Sequence, residues 1–136
     1  MQEDAHQPRP PPRLARIREE IARRAEESRD AWTAAAEMKV IRLQEAPAET
    51  WIVMGREADY VVVTDTFCSC PHFIYRVAAG GGEKPCYHLA AVRLAKATSR
   101  FHDLAARLSR DEVETILLET LASGRSATLR RILHKA

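Results

Sequence analysis

An α+β fold is the class this sequence predicts, and three observations predict it. Apolar residues recur at helical spacing before residue 38, the pattern switches to period two between Met38 and Phe67, and the helical period returns from Cys86 onward. With 136 residues, 46% hydrophobic and 29% charged, the chain has the size and balance of one compact domain. The expected architecture is a small three-stranded antiparallel sheet flanked by an N-terminal helix and by C-terminal helices.

The first dozen residues, MQEDAHQPRPPP, hold four of the seven prolines and no apolar stripe, so residues 1–12 are expected to be disordered. From Pro12, acceptable at a helix start, the residues Leu14, Ile17, Ile21, Ala25, Ser28, Trp32 and Ala35 fall three or four apart and predict one amphipathic helix over 13–37. Glu19 with Arg23 and Glu20 with Arg24 stand in the favoured i,i+4 order on the opposite, solvated face. Alanine and serine thin the stripe, so the helix is expected to lean on the body or a partner rather than form a free-standing coiled coil.

MKVIRLQ, TWIVMG and YVVVTDTF read as three short strands, and the polar linkers EAPAE and READ have hairpin length, which predicts a meander. Trp51 and Phe67 fall in this pattern as core residues. After Gly80 to Gly82, read as a flexible loop, Ala90, Leu94, Ala97, Phe101, Leu104 and Leu108 predict one long helix. Ser109 and Glu112 spell a capping box, Gly124 closes the helix it starts, and Ser126 caps a last short helix.

Apolar runs stop at four residues, as at Trp51 to Met54, against the roughly 20 that a membrane span needs. Acids and prolines stand where a secretory signal would place a basic and then an apolar segment, so the expected address is intracellular and cytoplasmic, at the nucleoid or nucleus if bound to DNA. Net charge is +2 from 21 basic and 19 acidic residues. Both 1–36 and 37–99 hold seven of each sign, so the excess sits in 100–136, with seven basic against five acidic; a helix end alone also favours such cations.

The chemistry concentrates in one place. The three cysteines of the chain fall within nineteen residues, as Cys68-Ser69-Cys70 and, after fifteen intervening residues, Cys86-Tyr87-His88. Three cysteines cannot pair off into disulfides, and a Cys₃His set matches a structural zinc site in number and softness. Tetrahedral ligation at a Zn–S distance of about 2.3 Å holds sulfurs about 3.8 Å apart, whereas i and i+2 of a straight strand are about 6.6 Å apart along the chain. The chain must therefore bend at Ser69, and Pro71 takes it out of the strand direction. Cys86 and His88 would point about 200° apart in mid-helix, so they belong to a first helical turn, with Pro85 leading in.

Three competing readings are weaker in chemistry. An iron–sulfur cluster is disfavoured by the close paired ligands, which suit a single ion. His72 competes with His88 as the fourth ligand but reads as a surface neighbour. A cysteine nucleophile at Cys70 or Cys86 would need an orienting third group and an oxyanion hole, and nothing else in the sequence supplies them. Ala79 to Gly82 lacks the residues of a phosphate loop.

The strand-rich segment, Cys-x-Cys, the following aromatic Phe73, a variable loop, and Cys-x-His leading into a helix together resemble a SWIM-type zinc finger over residues 38–95. The resemblance matches Cys68, Cys70, Cys86 and His88 to the family's zinc ligands and leaves 96–136 as a helical C-terminal extension. Cys86, His88 and Ala91, as Cys-x-His-x-x-Ala, resemble in particular the SWIM proteins that assist homologous recombination beside recombinase paralogues. It implies one structural Zn²⁺, no catalysis, and binding to DNA with a protein partner, the alternative being a pure protein adaptor. Candidate nucleic-acid contacts are Arg76, Lys84, Arg93, Lys96, Arg125, Arg130 and Arg131, with Tyr75 and Tyr87, which flank the ligands, as the aromatics that would stack on bases or else cover the zinc.

Overall fold

A computed structural model describes residues 12–78 and 85–135, apart from the side chains of 12, 13, 76 and 78. The expected disordered segment, apart from Pro12, and the Gly80 to Gly82 loop lie outside the described residues. In order, the chain forms α1 (Pro12–Glu27), α2 (Arg29–Ala36), β1 (Val40–Gln44), β2 (Thr50–Met54), β3 (Asp59–Val63), β4 (Phe67–Cys68), a π-helix (His72–Ala78), α3 (Tyr87–Thr98), β5 (His102–Asp103), α4 (Arg110–Ser123) and α5 (Ala127–Lys135).

The expected meander β1–β2–β3 is the centre of a larger sheet. It has five strands, not three, in the order β4-β3-β2-β1-β5. All neighbours pair antiparallel except β5, which lies parallel to β1. The two extra strands are two residues each, too short to leave a period-two signature.

Strand alternation sends alternate side chains to opposite faces, and both faces are covered. Val40, Trp51, Val53 and Val62 join a core with Ile21, Ala31, Ala35, Leu89 and Ala91 from α1, α2 and α3. Ile41, Leu43, Ile52 and Val61 join a second core with Val113 and Ile116 of α4 and Leu129 of α5. Burial on both sides explains why Trp51, Ile52 and Val53 read as a continuous apolar run.

Two helical expectations are corrected. The stripe over 13–37 is two helices: Ser28 leaves helical geometry at φ −83°, ψ 116°, and its Oγ accepts the Ala31 N–H at 3.1 Å. Trp32 is consequently 48% exposed instead of lying on the seam. The second correction concerns the long helix expected to run to Leu108. α3 stops at Thr98 because Ser99 takes the left-handed conformation at φ 55°, and the Ser99 and Arg100 N–H groups cap the carbonyls of Lys96 and Ala95. Phe101 and Leu104 still bury apolar surface, but on opposite faces of the sheet. Phe101 packs edge-on against Trp51 at 5.0 Å, while Leu104 lies in the second core.

The C-terminal expectations hold. Ser109 and Glu112 form the reciprocal capping box, Gly124 ends α4 at φ 79°, and Ser126 Oγ accepts the Leu129 N–H at 3.0 Å at the start of α5.

Candidate metal centre

The local backbone solves both geometric problems that the ligand spacings pose. Cys68 ends β4 opposite Val62 of β3. The next residue, Ser69, pairs twice with Val61: its N–H donates to the Val61 carbonyl, and the Val61 N–H donates to Ser69 Oγ, both at 2.9 Å. A side-chain oxygen thus replaces a backbone acceptor where the chain turns off the sheet. Cys70 then begins the approach to the π-helix, where its Sγ accepts the Phe73 N–H at 3.4 Å. On the other side of the site Cys86 is the N-cap of α3 at φ −66°, ψ 160°, and His88 lies in the first turn.

The ligand atoms of Cys68, Cys70, Cys86 and His88 lie within 4.8 Å of one another, and all four residues are buried. His88 presents Nδ1 at 3.8 Å from Cys68 Sγ. Three soft sulfurs and one imidazole nitrogen in so small a volume fit tetrahedral zinc, whose sulfurs would stand about 3.8 Å apart. Fully ligated by protein, the ion supplies a cross-link between the sheet and the start of α3.

Aromatic rings wall the centre. Tyr60 and Tyr87 pack on the His88 ring at centroid distances of 4.6 and 4.2 Å, and Phe73 packs edge-on against Phe67 at 5.6 Å. Without an ion, the thiols share protons. Cys70 is held well below the ordinary thiol range by hydrogen bonds from Cys68 and then Cys86, while Cys68 is pushed far up by the same contacts with Cys70 and Cys86 and by burial. Burial also raises the Tyr60 hydroxyl, reinforced by the charge of Cys70. A loaded site of three thiolates, one neutral imidazole and Zn²⁺ carries net −1, which the positive end of α3 stabilises.

Residues 50–97 match the family model described as SWIM zinc finger, and the four grouped ligands lie inside that span. This segment is a SWIM zinc finger. It covers strands β2 to β4, the ligand loop and nearly all of α3, while α1, α2, β1, α4 and α5 lie outside it. An uncharacterized protein of Archaeoglobus fulgidus is 39% identical over 51 residues, which is 38% of this chain and 41% of that protein. The chain therefore spans about two fifths of the relative's length. No solved structure matches the chain. Among the described residues no helix is long and apolar enough to cross a membrane.

The candidate nucleic-acid residues fall into different environments. Arg93 pairs with Asp65 at 3.3 Å, and Lys96 pairs with Glu49 at 2.8 Å. Burial pushes the Glu49 carboxyl up, but hydrogen bonds from Lys96, Thr64 and Arg42 outweigh it and hold the group below its usual range. Arg130 grips the buried Asp59 with both guanidinium nitrogens, one at 2.9 Å. Arg131 donates to Thr128 Oγ1 at 3.3 Å, and Arg125 is exposed. Lys84 and the Arg76 side chain lie outside the described residues.

Tyr75 is 72% exposed on the π-helix, whereas Tyr87 is half-buried against His88. His72 is exposed and outside the ligand group, as are His102 and His134. Sequence reading missed Tyr60, yet a signal existed: Tyr60 and Val62 share one face by alternation, and Val62 stands opposite Cys68.

Proposed function

We propose that this chain is a non-catalytic zinc-binding module that binds DNA, in recombination or repair together with a protein partner such as a recombinase paralogue. The observation that carries the reading is the SWIM finger at residues 50–97 with its buried Cys₃His group. Four protein ligands fill a tetrahedral shell, so the ion has no open position for substrate or water, and the finger serves as scaffold. The Cys-x-His-x-x-Ala pattern at Cys86, His88 and Ala91 supports the recombination assignment.

The zinc-loaded chain carries formal charge near +1, so attraction to DNA depends on where its cations converge and not on its total charge. A DNA-binding isotherm across a salt series tests the reading. Affinity that falls steeply with salt is the expected result, and no measurable binding at low salt would overturn it.

One observation favours the second reading, an adaptor that contacts protein alone. Leu118 and Leu121 on α4 are 68% and 59% exposed, on the side of the molecule away from the metal. Such an adaptor would capture its protein partner with no DNA isotherm.

A further inference from the structure

The β2–β3 turn passes beside the C-terminal helices, and the groove between them gathers basic residues from two distant parts of the chain. Lys39 precedes β1, Arg125 links α4 to α5, and Arg130 and His134 lie on α5. All four line one depression with Met54, Gly55 and Leu133, and no carboxylate is among the described residues of its lining. Arg130 is anchored to Asp59, whereas Lys39 and Arg125 are exposed, and among the described residues no side-chain ion pair engages either of them.

The groove continues along the same turn. Lys39, Met54 and Gly55 also line a second depression with Arg56 and Tyr87, and Gly55, Arg56 and Tyr87 line a third that reaches Tyr60 and His88. Asp30, Glu37 and Glu57 outnumber Arg56 at that end. The surface is therefore graded, cationic beside α5 and acidic with an aromatic ring beside the metal centre. Gly55 lets the turn close tightly, since a Cβ there would meet the Ala58 carbonyl oxygen at 2.7 Å and the Tyr60 ring at 3.3 Å.

We propose that this groove holds single-stranded DNA, its phosphates on Lys39 and Arg125 and a base against Tyr87. Cations that track a backbone, together with a ring open to a base face, are the combination that single strands require. By contrast, Arg93 and Lys96 spend their charge on Asp65 and Glu49 and add little to phosphate attraction. The proposal rests on the DNA-binding reading and adds where, and in which form, the DNA sits.

The test compares two double variants that remove the same charge, Lys39→Gln with Arg125→Gln, and Arg93→Gln with Lys96→Gln. Zinc content and circular dichroism confirm that each is folded. Titrated with labelled oligothymidylate, the groove variant should bind about tenfold more weakly, with a salt slope shallower by about 1.4 for two lost phosphate contacts, and the control should stay within about twofold. Equal weakening in both variants, with the wild-type protein binding, would overturn the groove while the DNA reading stands. A preference of the wild-type protein for duplex over oligothymidylate would overturn the single-strand assignment. Absence of binding by the wild-type protein would overturn both.

Discussion

The two faces of the sheet are held by different physics. On one face α1, α2 and α3 pack through many small side chains, with Ala25, Ala31, Ala34, Ala35, Ala90, Ala91 and Ala95 in the core, and the metal centre closes its edge. On the other, Leu43, Ile52, Leu104, Ile116 and Leu129 bury larger aliphatic groups, and Asp59 with Arg130 ties α5 to β3. Alanine allows close approach of helices but contributes little burial per residue, at about 25 cal/mol per Å² of apolar surface. The alanine-rich face therefore adds an ion to its packing, while the aliphatic face has packing and one ion pair.

That contrast is broken most severely by removing the metal. Cys86→Ala, or chelation, should abolish stoichiometric zinc and loosen α3, β4 and α1 together, because structural zinc contributes on the order of 10 kcal/mol to small metal-dependent folds. Amide exchange read face by face is the check: protection should fall first in α3 and last in α4, and uniform loss would show the faces to be one cooperative unit. Acidification should act in the same direction, since each ligand thiolate must be free of its proton to bind; zinc release should grow as pH falls and reverse as it rises.

On the opposite face the largest single loss is expected from Asp59→Ala. It leaves Arg130 without its buried carboxylate partner and should cost about 3 kcal/mol in denaturant unfolding, with zinc stoichiometry unchanged. Ser69→Ala returns to the metal face with a smaller effect: loss of the Val61 pairing should weaken zinc about tenfold in a competition titration while the protein stays folded. The smallest is Ser109→Ala, which removes the capping box of α4 and should lower stability by about 1 kcal/mol without touching metal affinity. A change in zinc affinity there would mean that the faces are coupled through the sheet.

How much of this could be read in advance varies by element. The ligand set was legible because soft ligands at short spacing have few alternatives in chemistry, and the meander because β1, β2 and β3 are long enough to show their period. The capping box and Gly124 were legible because caps act over three or four residues. The break at Ser28 was not, since serine fits the stripe by spacing and becomes a cap only when α2 turns to pack on α3. Phe101 and Leu104 misled for a related reason: helical spacing is also what two residues show when the chain crosses a sheet edge and drops one on each face.

The cations divide the same way. In sequence, Arg93, Lys96, Arg125 and Arg130 look equivalent. In the fold, Asp65, Glu49 and Asp59 neutralise Arg93, Lys96 and Arg130, while Arg125 meets Lys39, more than 80 residues away in the chain. What the sequence by itself determined was local: the ligands, their bends, the caps and the three principal strands, because each is set by side-chain chemistry within a few residues. The tertiary structure decided which face each helix covers, the two extra strands and which charges remain available, because these depend on contacts between residues far apart in the chain, and such contacts leave no periodic trace.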